Sequence, residues 1–357
     1  MTSWWTRLIR NPLARIGMMI LGCFYAVTIG AGFVAPYHAV NDSQPDGSLL
    51  PPTPIHWMHD GKFIGPHVYP VSQGPTDLET GDRLLAIDTT TPTPIRLFTS
   101  GSPYKLLGFI PAQHHLFGVE APARLNLFGT DEQGRDQFSR LLYGGQISLF
   151  VGLVGIAISF PLGMFVGGIS GYFGGWVDGI TMRLSEVLMT IPGIYLLVAL
   201  AAVLPVDLSS AQRFLLIVTL VSFIQWAGLA RVVRGQVLSI KEREFVQAAQ
   251  AMGANPFYII VRHVLPQTAS YTIISATLAI PGFIVAESVL SLIGLGIQEP
   301  DPSWGNMLSS ATNASILVFQ PWLIWPPALA IVLTVLSFNL LGDALRDALD
   351  PQSVRRS

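Results

Sequence analysis

The sequence predicts an all-α polytopic membrane protein with six transmembrane helices. Half of its 357 residues are hydrophobic and only 12% are charged, whereas a soluble globular domain carries about 25% charged residues. Several stretches contain no Asp, Glu, Lys or Arg, and most of them reach the roughly 20 residues that cross the hydrocarbon of a bilayer. Lipid is therefore the environment that this composition requires.

The apolar stretches set the order of the predicted helices. We place the spans near residues 16–35, 147–168, 185–204, 214–230, 269–294 and 322–341. The predicted divisions are an N-terminus with the first span at 1–35, an insertion at 36–140, a five-helix core at 141–345 that includes a polar loop at 231–267, and a tail at 346–357. Prolines within or near the spans predict kinks at Pro192, Pro205 and Pro281.

Basic residues predict the orientation. They precede the first span, fill the loop between spans four and five, and follow the last span: Arg7, Arg10, Arg15, Arg231, Arg234, Lys241, Arg243, Arg262, Arg346, Arg355 and Arg356. Short loops rich in Lys and Arg stay in the cytoplasm. Both termini and the 231–267 loop are thus predicted to be cytoplasmic, and the 36–140 insertion to be extracytoplasmic.

The insertion is rich in Pro and Gly and contains short β-like runs such as Ile95 to Phe98. Its turn-forming clusters break it into short pieces, which predicts a small β-rich or irregular subdomain. Its histidines are His56, His59, His67, His114 and His115. Scattered loop histidines without a fixed ligand spacing are usually solvated, and Cys23 is the only cysteine, so we expect no metal site. A metal site in this insertion is the less favoured alternative.

Charged residues and glycines near span two predict structural roles. Asp131, Arg135, Asp136 and Arg140 alternate in sign beside the span, which is typical of a paired cluster at a membrane interface. Gly163, Gly167 and Gly168 lie within the span. Small residues at such positions allow neighbouring helices to approach closely.

The loop between spans four and five carries the strongest functional signal. Residues from Glu244 to Met252 are good helix formers, Gly253 occupies the position of a helix C-cap, and Pro256 follows shortly after. The sequence therefore predicts a short cytoplasmic helix. Its small and apolar side chains suit a surface on which another protein docks: Phe245, Val246, Ala248, Ala249, Ala251 and Met252.

Gln247-Ala248-Ala249, then Gly253, then Leu265-Pro266, together resemble the EAA loop of bacterial ATP-binding-cassette (ABC) importer permeases. In that family the segment is the coupling helix, which contacts the ATPase subunit. The residues that the resemblance implies for this contact are Glu244, Phe245, Val246, Gln247, Ala248, Ala249, Ala251, Met252, Gly253, Leu265 and Pro266. Two positions depart from the family pattern, with Gln247 in place of glutamate and His263 in place of isoleucine.

Three polar blocks narrow the resemblance. The segments 128–140, 292–307 and 339–351 are similar to the C-type subunit of dipeptide and oligopeptide permeases. This resemblance implies a type I ABC importer permease fold in the bacterial inner membrane. It also implies one half of a pathway that carries di- or oligopeptides, or similar small solutes, by alternating access.

The resemblance further implies the partners of the chain. They are a second homologous permease, two cytoplasmic ATPase subunits, an extracytoplasmic substrate-binding protein and membrane lipid. The chain has no Gly-Lys-Ser/Thr sequence and therefore no P-loop, so we expect no enzymatic activity and no cofactor here, with ATP and magnesium bound by the ATPase subunits. A net charge of −2 gives no basic field that would attract nucleic acid.

Glu287 is an acidic residue inside predicted span five. A carboxylate in that position costs at least a few kcal/mol unless it is paired, hydrated or protonated. Glu287 is therefore a candidate for the translocation path, or else it holds two helices together. An ion-coupled secondary transporter, which would use intramembrane ionisable residues, is the alternative class of function.

Overall fold

The computed structural model describes residues 4–76, 83–106, 109–203, 205 and 208–349. The predictions made for the last part of the tail, 350–357, lie outside the described residues. The chain divides into two compact units. Unit 1 comprises residues 1–21, 150–290 and 333–357, and unit 2 comprises residues 22–149 and 291–332.

The helices account for most of the described chain. In chain order they are α1 (Trp4–Arg10), α2 (Pro12–Ile29), α3 (Ala31–Val34), α4 (Gln137–Phe173), α5 (Gly175–Thr190), α6 (Gly193–Ala201), α7 (Ser210–Ile240), α8 (Glu244–Ala251), α9 (Pro256–Ile259), α10 (Ala269–Leu292), α11 (Trp304–Met307), α12 (Ala314–Phe319) and α13 (Trp325–Leu349). A π-helical turn at Ile260–Val264 and a 3₁₀ turn at Leu265–Thr268 join α9 to α10.

Five helical segments among the described residues are long and apolar enough to cross a membrane. They are Pro12–Ile29, Gln137–Phe173, Gln212–Ile240, Pro256–Leu292 and Pro321–Leu349, and each overlaps a predicted span. The segment in α7 continues to Ile240, ten residues beyond the predicted end of span four at 230. Arg231 and Arg234 therefore lie in a helix and not in the loop that follows it.

The predicted span at 185–204 is a pair of helices instead of one straight helix. The axes of Gly175–Thr190 and Gly193–Leu200 are bent by 86°, and the break lies at Ile191 and Pro192. Ile191 has extended backbone angles, φ −80° and ψ 124°, because a proline ring disfavours helical geometry in the residue before it. If the bent pair counts as one span, the described chain has up to six.

Within unit 1, α4 meets α7 along a stripe of glycines spaced four residues apart. The glycines are Gly163, Gly167 and Gly171. A Cβ added at Gly163 would lie 2.9 Å from the carbonyl oxygen of Trp226. One added at Gly171 would lie 2.8 Å from that of Arg234, and one at Gly167 would overlap that of Ala230. The absence of side chains lets the two helix backbones touch.

All of the described strands lie in unit 2, between α3 and α4. They are β1 (His56–His59), β2 (Lys62–Val68), β3 (Val71–Thr76), β4 (Arg83–Ile87), β5 (Thr93–Pro94), β6 (Arg96–Leu106) and β7 (Ile110–Gly118). They form three small antiparallel sheets, β1-β2-β5, β3-β4 and β6-β7. A small apolar cluster of the same region is built on Val68, Ala123 and Leu125.

Two histidines of this region are buried, although the sequence predicted solvated ones. The exposed fractions are 1% for His67 and 2% for His115. The ring nitrogens of His115 lie 2.5 Å and 3.0 Å from the carbonyl oxygens of Ala35 and Ser102. The prediction failed for His115 because its contact with Ala35 joins residues 80 positions apart in the sequence.

Candidate functional site

The predicted helix between α7 and α9 is present as α8, and its end has a defined geometry. Gly253 has φ +76°, a left-handed conformation in which glycine has no steric penalty. The N–H of Gly253 donates to the Gln250 carbonyl at 2.9 Å, and that of Ala254 donates to the Ala249 carbonyl at 3.1 Å. This pair of hydrogen bonds is a Schellman motif, which ends the helix and turns the chain toward α9.

The inner face of α8 is anchored in unit 1. Val246 and Ala249 are buried, with exposed fractions of 0% and 3%. They belong to an apolar cluster with residues of α7, α9 and the π-helical turn: Leu229, Val233, Val237, Ile240, Ile259 and Val264. Leu265 is half-buried and packs against the same cluster. The inner face of α8 is therefore packed against α7, α9 and the π-helical turn that precedes α10.

The outer face of α8 carries polar, apolar and small side chains, and the small ones project little from the helix. It consists of exposed residues of the predicted set: Glu244, Phe245, Gln247, Ala248, Ala251 and Met252. Phe245 is 39% exposed and Met252 is 81% exposed, so two apolar side chains flank the two small alanines. Gly253 and Pro266 are exposed as well. The predicted site residues thus divide into an anchoring face and a free face, and the free face suits a protein partner.

Two polar contacts that hold this region were not predicted from the sequence. The Gln250 amide donates to the hydroxyl of Tyr172 at 3.0 Å and thereby ties α8 to the end of α4. The Gln247 amide donates to the carbonyl of Glu242 at 3.1 Å. A sequence pattern gives no sign of the first contact because its two residues are 78 positions apart.

A partly exposed ion pair, with side-chain exposures of 33% for Arg234 and 17% for Asp178, lies at the same end of the unit 1 helices. The Nε of Arg234 on α7 donates to Asp178 on α5 at 2.7 Å, and the hydroxyl of Ser170 on α4 donates to the same carboxylate oxygen at 2.5 Å. Three helices therefore meet at one carboxylate. The sequence signal was a single acidic residue, Asp178, close to two apolar stretches, which does not identify its partner.

Unit 2 contains a second polar cluster, centred on two arginines. Arg135 and Arg140 are almost fully buried, with side-chain exposures of 6% and 2%. Asp131 lies 2.8 Å from Arg135 and 3.3 Å from Arg140. Glu299 lies 2.6 Å from Arg135 and 2.8 Å from Arg140. The predicted pairing of Asp131 with the arginines is confirmed, and Glu299 is the member that the sequence did not reveal.

Asp136, which was predicted to join this ionic cluster, has another position. It is fully buried before α4 and accepts hydrogen bonds from the N–H and the hydroxyl of Ser139 at 2.7 Å and 2.6 Å. Its Oδ1 has no hydrogen-bond partner within the described part of the chain. Burial raises the pKa of Asp136 to about 6, against the lowering effect of the Ser139 contacts. A cavity of about 240 Å³ lies beside the neighbouring ionic cluster.

Glu287 lies in α10, and its side chain is completely buried in unit 1. The sequence left two roles open for it, lining a path or joining two helices. A role in the translocation path stays a prediction.

Comparison with known proteins gives a consistent result along most of the chain. Residues 159–355, more than half of the sequence, match the sequence profile described as binding-protein-dependent transport system inner membrane component. Residues 2–52 match the profile described as the N-terminal transmembrane domain of oligopeptide transport permease C.

Individual relatives agree with these profiles. The chain is 44% identical over 231 residues to a dipeptide transport system permease protein of Bacillus subtilis, covering 65% of this chain and 70% of that protein. It is 43% identical over 227 residues to an oligopeptide transport system permease protein of Haemophilus influenzae, covering 64% and 70%. It is 40% identical over 233 residues to a glutathione transport system permease protein of Pectobacterium atrosepticum, covering 65% and 75%.

Proposed function

Because this chain belongs to the family of binding-protein-dependent transport system inner membrane components, we propose that it is one permease subunit of an ABC importer that carries peptides across the bacterial inner membrane. The names of its relatives, which include dipeptide, oligopeptide and glutathione permeases, support this class of substrate. The family is a transport component and not a catalytic one, and ATP hydrolysis belongs to separate subunits.

The observation that carries the proposal is the division of α8 into an anchored face and a free face. The free face receives an ATPase subunit, with Phe245 and Met252 as apolar anchors and Ala248 and Ala251 allowing close approach. The anchored face, through Val246 and Ala249, joins α8 to the apolar cluster on α7. Movement of the docked ATPase is therefore transmitted through α8 to the membrane helices. Alternating access requires such a displacement of the helices.

The orientation follows from this assignment. The free face of α8 and both chain termini lie in the cytoplasm, and the strand region lies outside, where it contacts the partner permease or the binding protein. The bent pair of α5 and α6 counts as one crossing, which gives the six spans of a type I importer. The full assembly contains a second permease, two ATPases and a substrate-binding protein, and Glu287 is the candidate residue of this chain for the path between the permeases.

The docking assignment is tested with Ala248→Arg in the complete importer reconstituted in proteoliposomes. A long charged side chain in the centre of the free face blocks close approach of the ATPase. We expect co-purification of the ATPase subunits and ATP-dependent peptide uptake each to fall at least tenfold. Asp343→Arg, which adds the same side chain at an exposed position on α13, is the control and is expected to retain both activities.

A second pair of variants separates docking from folding of the turn. A Cβ at Gly253 meets no atom within 4 Å. A substitution at this position therefore destabilises the turn only through the left-handed backbone conformation that the new residue must adopt. Asn adopts that conformation readily and Val does not. We expect Gly253→Asn to retain uptake and Gly253→Val to lose it while the permease stays in the membrane. Unchanged uptake in Ala248→Arg, or a wild-type chain that never co-purifies with an ATPase, would contradict the proposal.

A further inference from the structure

The β6-β7 hairpin packs directly on the end of the first membrane helix. The membrane segment α2 is followed, after one residue, by the short helix α3. The ring centre of Phe98 on β6 lies 6.2 Å from that of Phe33 on α3. The Nδ1 of His115 on β7 lies 2.5 Å from the carbonyl oxygen of Ala35, the residue that follows α3. The hairpin is therefore located where the chain leaves the membrane.

The face of the hairpin that contacts α3 continues as an apolar surface toward the turn. Tyr104 covers Gly32 of α3, because a Cβ added at this glycine would overlap the Tyr104 ring. Leu106 lies two residues further along the strand and therefore shares this face. Ile110 is directly opposite Leu106 in the strand register, so it belongs to the same face. Because Ile110 is 44% exposed, the apolar surface extends past its contact with α3.

Three more large apolar side chains of the hairpin are exposed. The exposed fractions are 69% for Leu97, 62% for Phe98 and 71% for Phe109, which lies between the two strands. Clustered apolar side chains that remain exposed mark surfaces that bind a protein or a membrane. Phe98 also contacts α3, so this exposed surface is continuous with the end of a membrane helix. Lipid is thus the first apolar medium that these side chains meet.

The charge of the hairpin suits an anionic lipid surface. Residues 96–118 contain two cations, Arg96 and Lys105, and no Asp or Glu. Arg96 pairs with Glu120, which follows β7, whereas Lys105 is an exposed residue next to Leu106. Attraction of basic side chains to anionic headgroups adds to the burial of apolar area when a segment binds in the membrane interface.

We propose that the β6-β7 hairpin binds the surface of the bilayer beside the first membrane helix. Phe98, Phe109 and Ile110 insert at the boundary between the headgroups and the acyl chains, and Lys105 contacts anionic phospholipids. The protein contacts proposed for the strand region then involve the other two sheets. The inference requires only that α2 spans the membrane, so it does not depend on the transport function.

The depth of the hairpin is measured with a spin label on the full-length chain in lipid nanodiscs. Cys23 is the only cysteine, so Cys23→Ser provides a background for single labels at Phe109→Cys and, as a matched control, Asp60→Cys. Asp60 lies at the β1-β2 turn, and its side chain is 89% exposed. Paramagnetic resonance compares collisions of each label with oxygen, which concentrates in lipid, and with a neutral, water-soluble nickel chelate.

We expect the ratio of oxygen to nickel collisions at position 109 to exceed that at position 60 by at least about twofold, because only the first label enters the interface. A ratio at 109 equal to that at 60 would place the hairpin in water and overturn the proposal. Shielding of the label at 109 from both reagents would indicate a protein contact and would overturn it as well.

The preference for anionic lipid is tested by comparing nanodiscs of phosphatidylglycerol and phosphatidylcholine. We expect the collision ratio at position 109 to be higher in phosphatidylglycerol, and Lys105→Glu to abolish this difference by reversing the charge beside the turn. Lys62→Glu is the matched control, because Lys62 is an exposed lysine on β2, and it is expected to preserve the difference. Equal effects of the two substitutions would contradict the role of Lys105.

Discussion

The contact between α4 and α7 in unit 1 and the arginine cluster in unit 2 are held together by opposite means. Along α4, Gly163, Gly167 and Gly171 expose the backbone to α7, and shape alone sets the contact. In unit 2, Arg135 and Arg140 are fixed by carboxylates at 2.6–3.3 Å. A side chain added at one of the three glycines disrupts the first contact, whereas removal of a charged side chain disrupts the second.

The two constructions also differ in how they respond to single changes. The glycine contact has no charged member, so its stability is insensitive to pH. The arginine cluster shares two carboxylates between two cations, so loss of one member leaves the other three with an unbalanced charge in a largely buried site. Substitutions of matched size in the two units should therefore lower the free energy of unfolding by different amounts.

The largest effect is expected for Arg140→Met in unit 2. The change removes the guanidinium between Asp131 and Glu299 and leaves both carboxylates to Arg135 alone. Breaking a fully buried pair costs about 3–5 kcal/mol, and because Glu299 is 49% exposed we expect a cost at the lower end of that range. We expect a marked fall in the thermal denaturation temperature of the purified chain in detergent. Arg96→Met is the control, because Arg96 is 58% exposed in its pair with Glu120 and such a pair contributes under about 1 kcal/mol. Equal effects of the two variants would refute the cooperative description of the cluster.

The second-largest effect is the pH dependence of the stability of the folded chain that arises from Asp136. Its pKa in the folded chain is about 6, above the ordinary value of 3.8, so the folded state holds more protons than the unfolded state between these values. Stability therefore falls as the pH rises through this window, by up to about 3 kcal/mol. Asp136→Asn keeps an oxygen for Ser139 and should remove this slope.

The measurement for Asp136 is the difference in denaturation temperature between pH 4.5 and pH 7. We expect it to be smaller in Asp136→Asn than in the wild type. Asp46→Asn, at an exposed position of the same unit, should leave the difference unchanged. An identical pH dependence in the wild type and Asp136→Asn would show that Asp136 is not the group responsible.

The smallest of the three effects is expected for Gly167→Ala in unit 1. The added methyl overlaps the Ala230 carbonyl and forces α4 and α7 apart, which costs about 1–3 kcal/mol for overpacking. Gly235→Ala on α7 is the control, because a Cβ there meets no atom within 4 Å. Denaturation temperatures of the two variants, measured at two pH values, should differ by the same amount at both. If Gly235→Ala lowered the denaturation temperature as much as Gly167→Ala, steric fit between α4 and α7 would not be what sets their contact.

The sequence predicted best those features that depend on neighbours along the chain. The α8 helix was recognisable because good helix formers are followed by Gly253, and both signals lie within about ten residues. The close packing of Gly163 and Gly167 followed from their position in an apolar span. Each of these features is decided by local geometry or by the solvent in which a helix lies.

Contacts between distant residues were predicted least well. Glu299 was missed because it is 159 residues from Arg140, and opposite charges alone do not identify a partner. The hydrogen bonds of His59 and His67 with Tyr69 were missed because the bulge between His56 and Met58 sets the strand register. At Pro192 a kink was predicted, but the 86° bend was not, since hydropathy measures only how apolar a segment is.

The glycine stripe of α4 also has a consequence for inheritance. Every single-nucleotide change of a glycine codon that alters the amino acid introduces a larger residue, so each such change at these three positions adds atoms where α7 leaves no room for them. Gly179, Gly228 and Gly235 are helical glycines of the same unit with no atom within 4 Å of an added Cβ, and they do not have this restriction. Random mutagenesis of the gene followed by selection for function should therefore yield few amino-acid changes at codons 163, 167 and 171, which are spaced four apart.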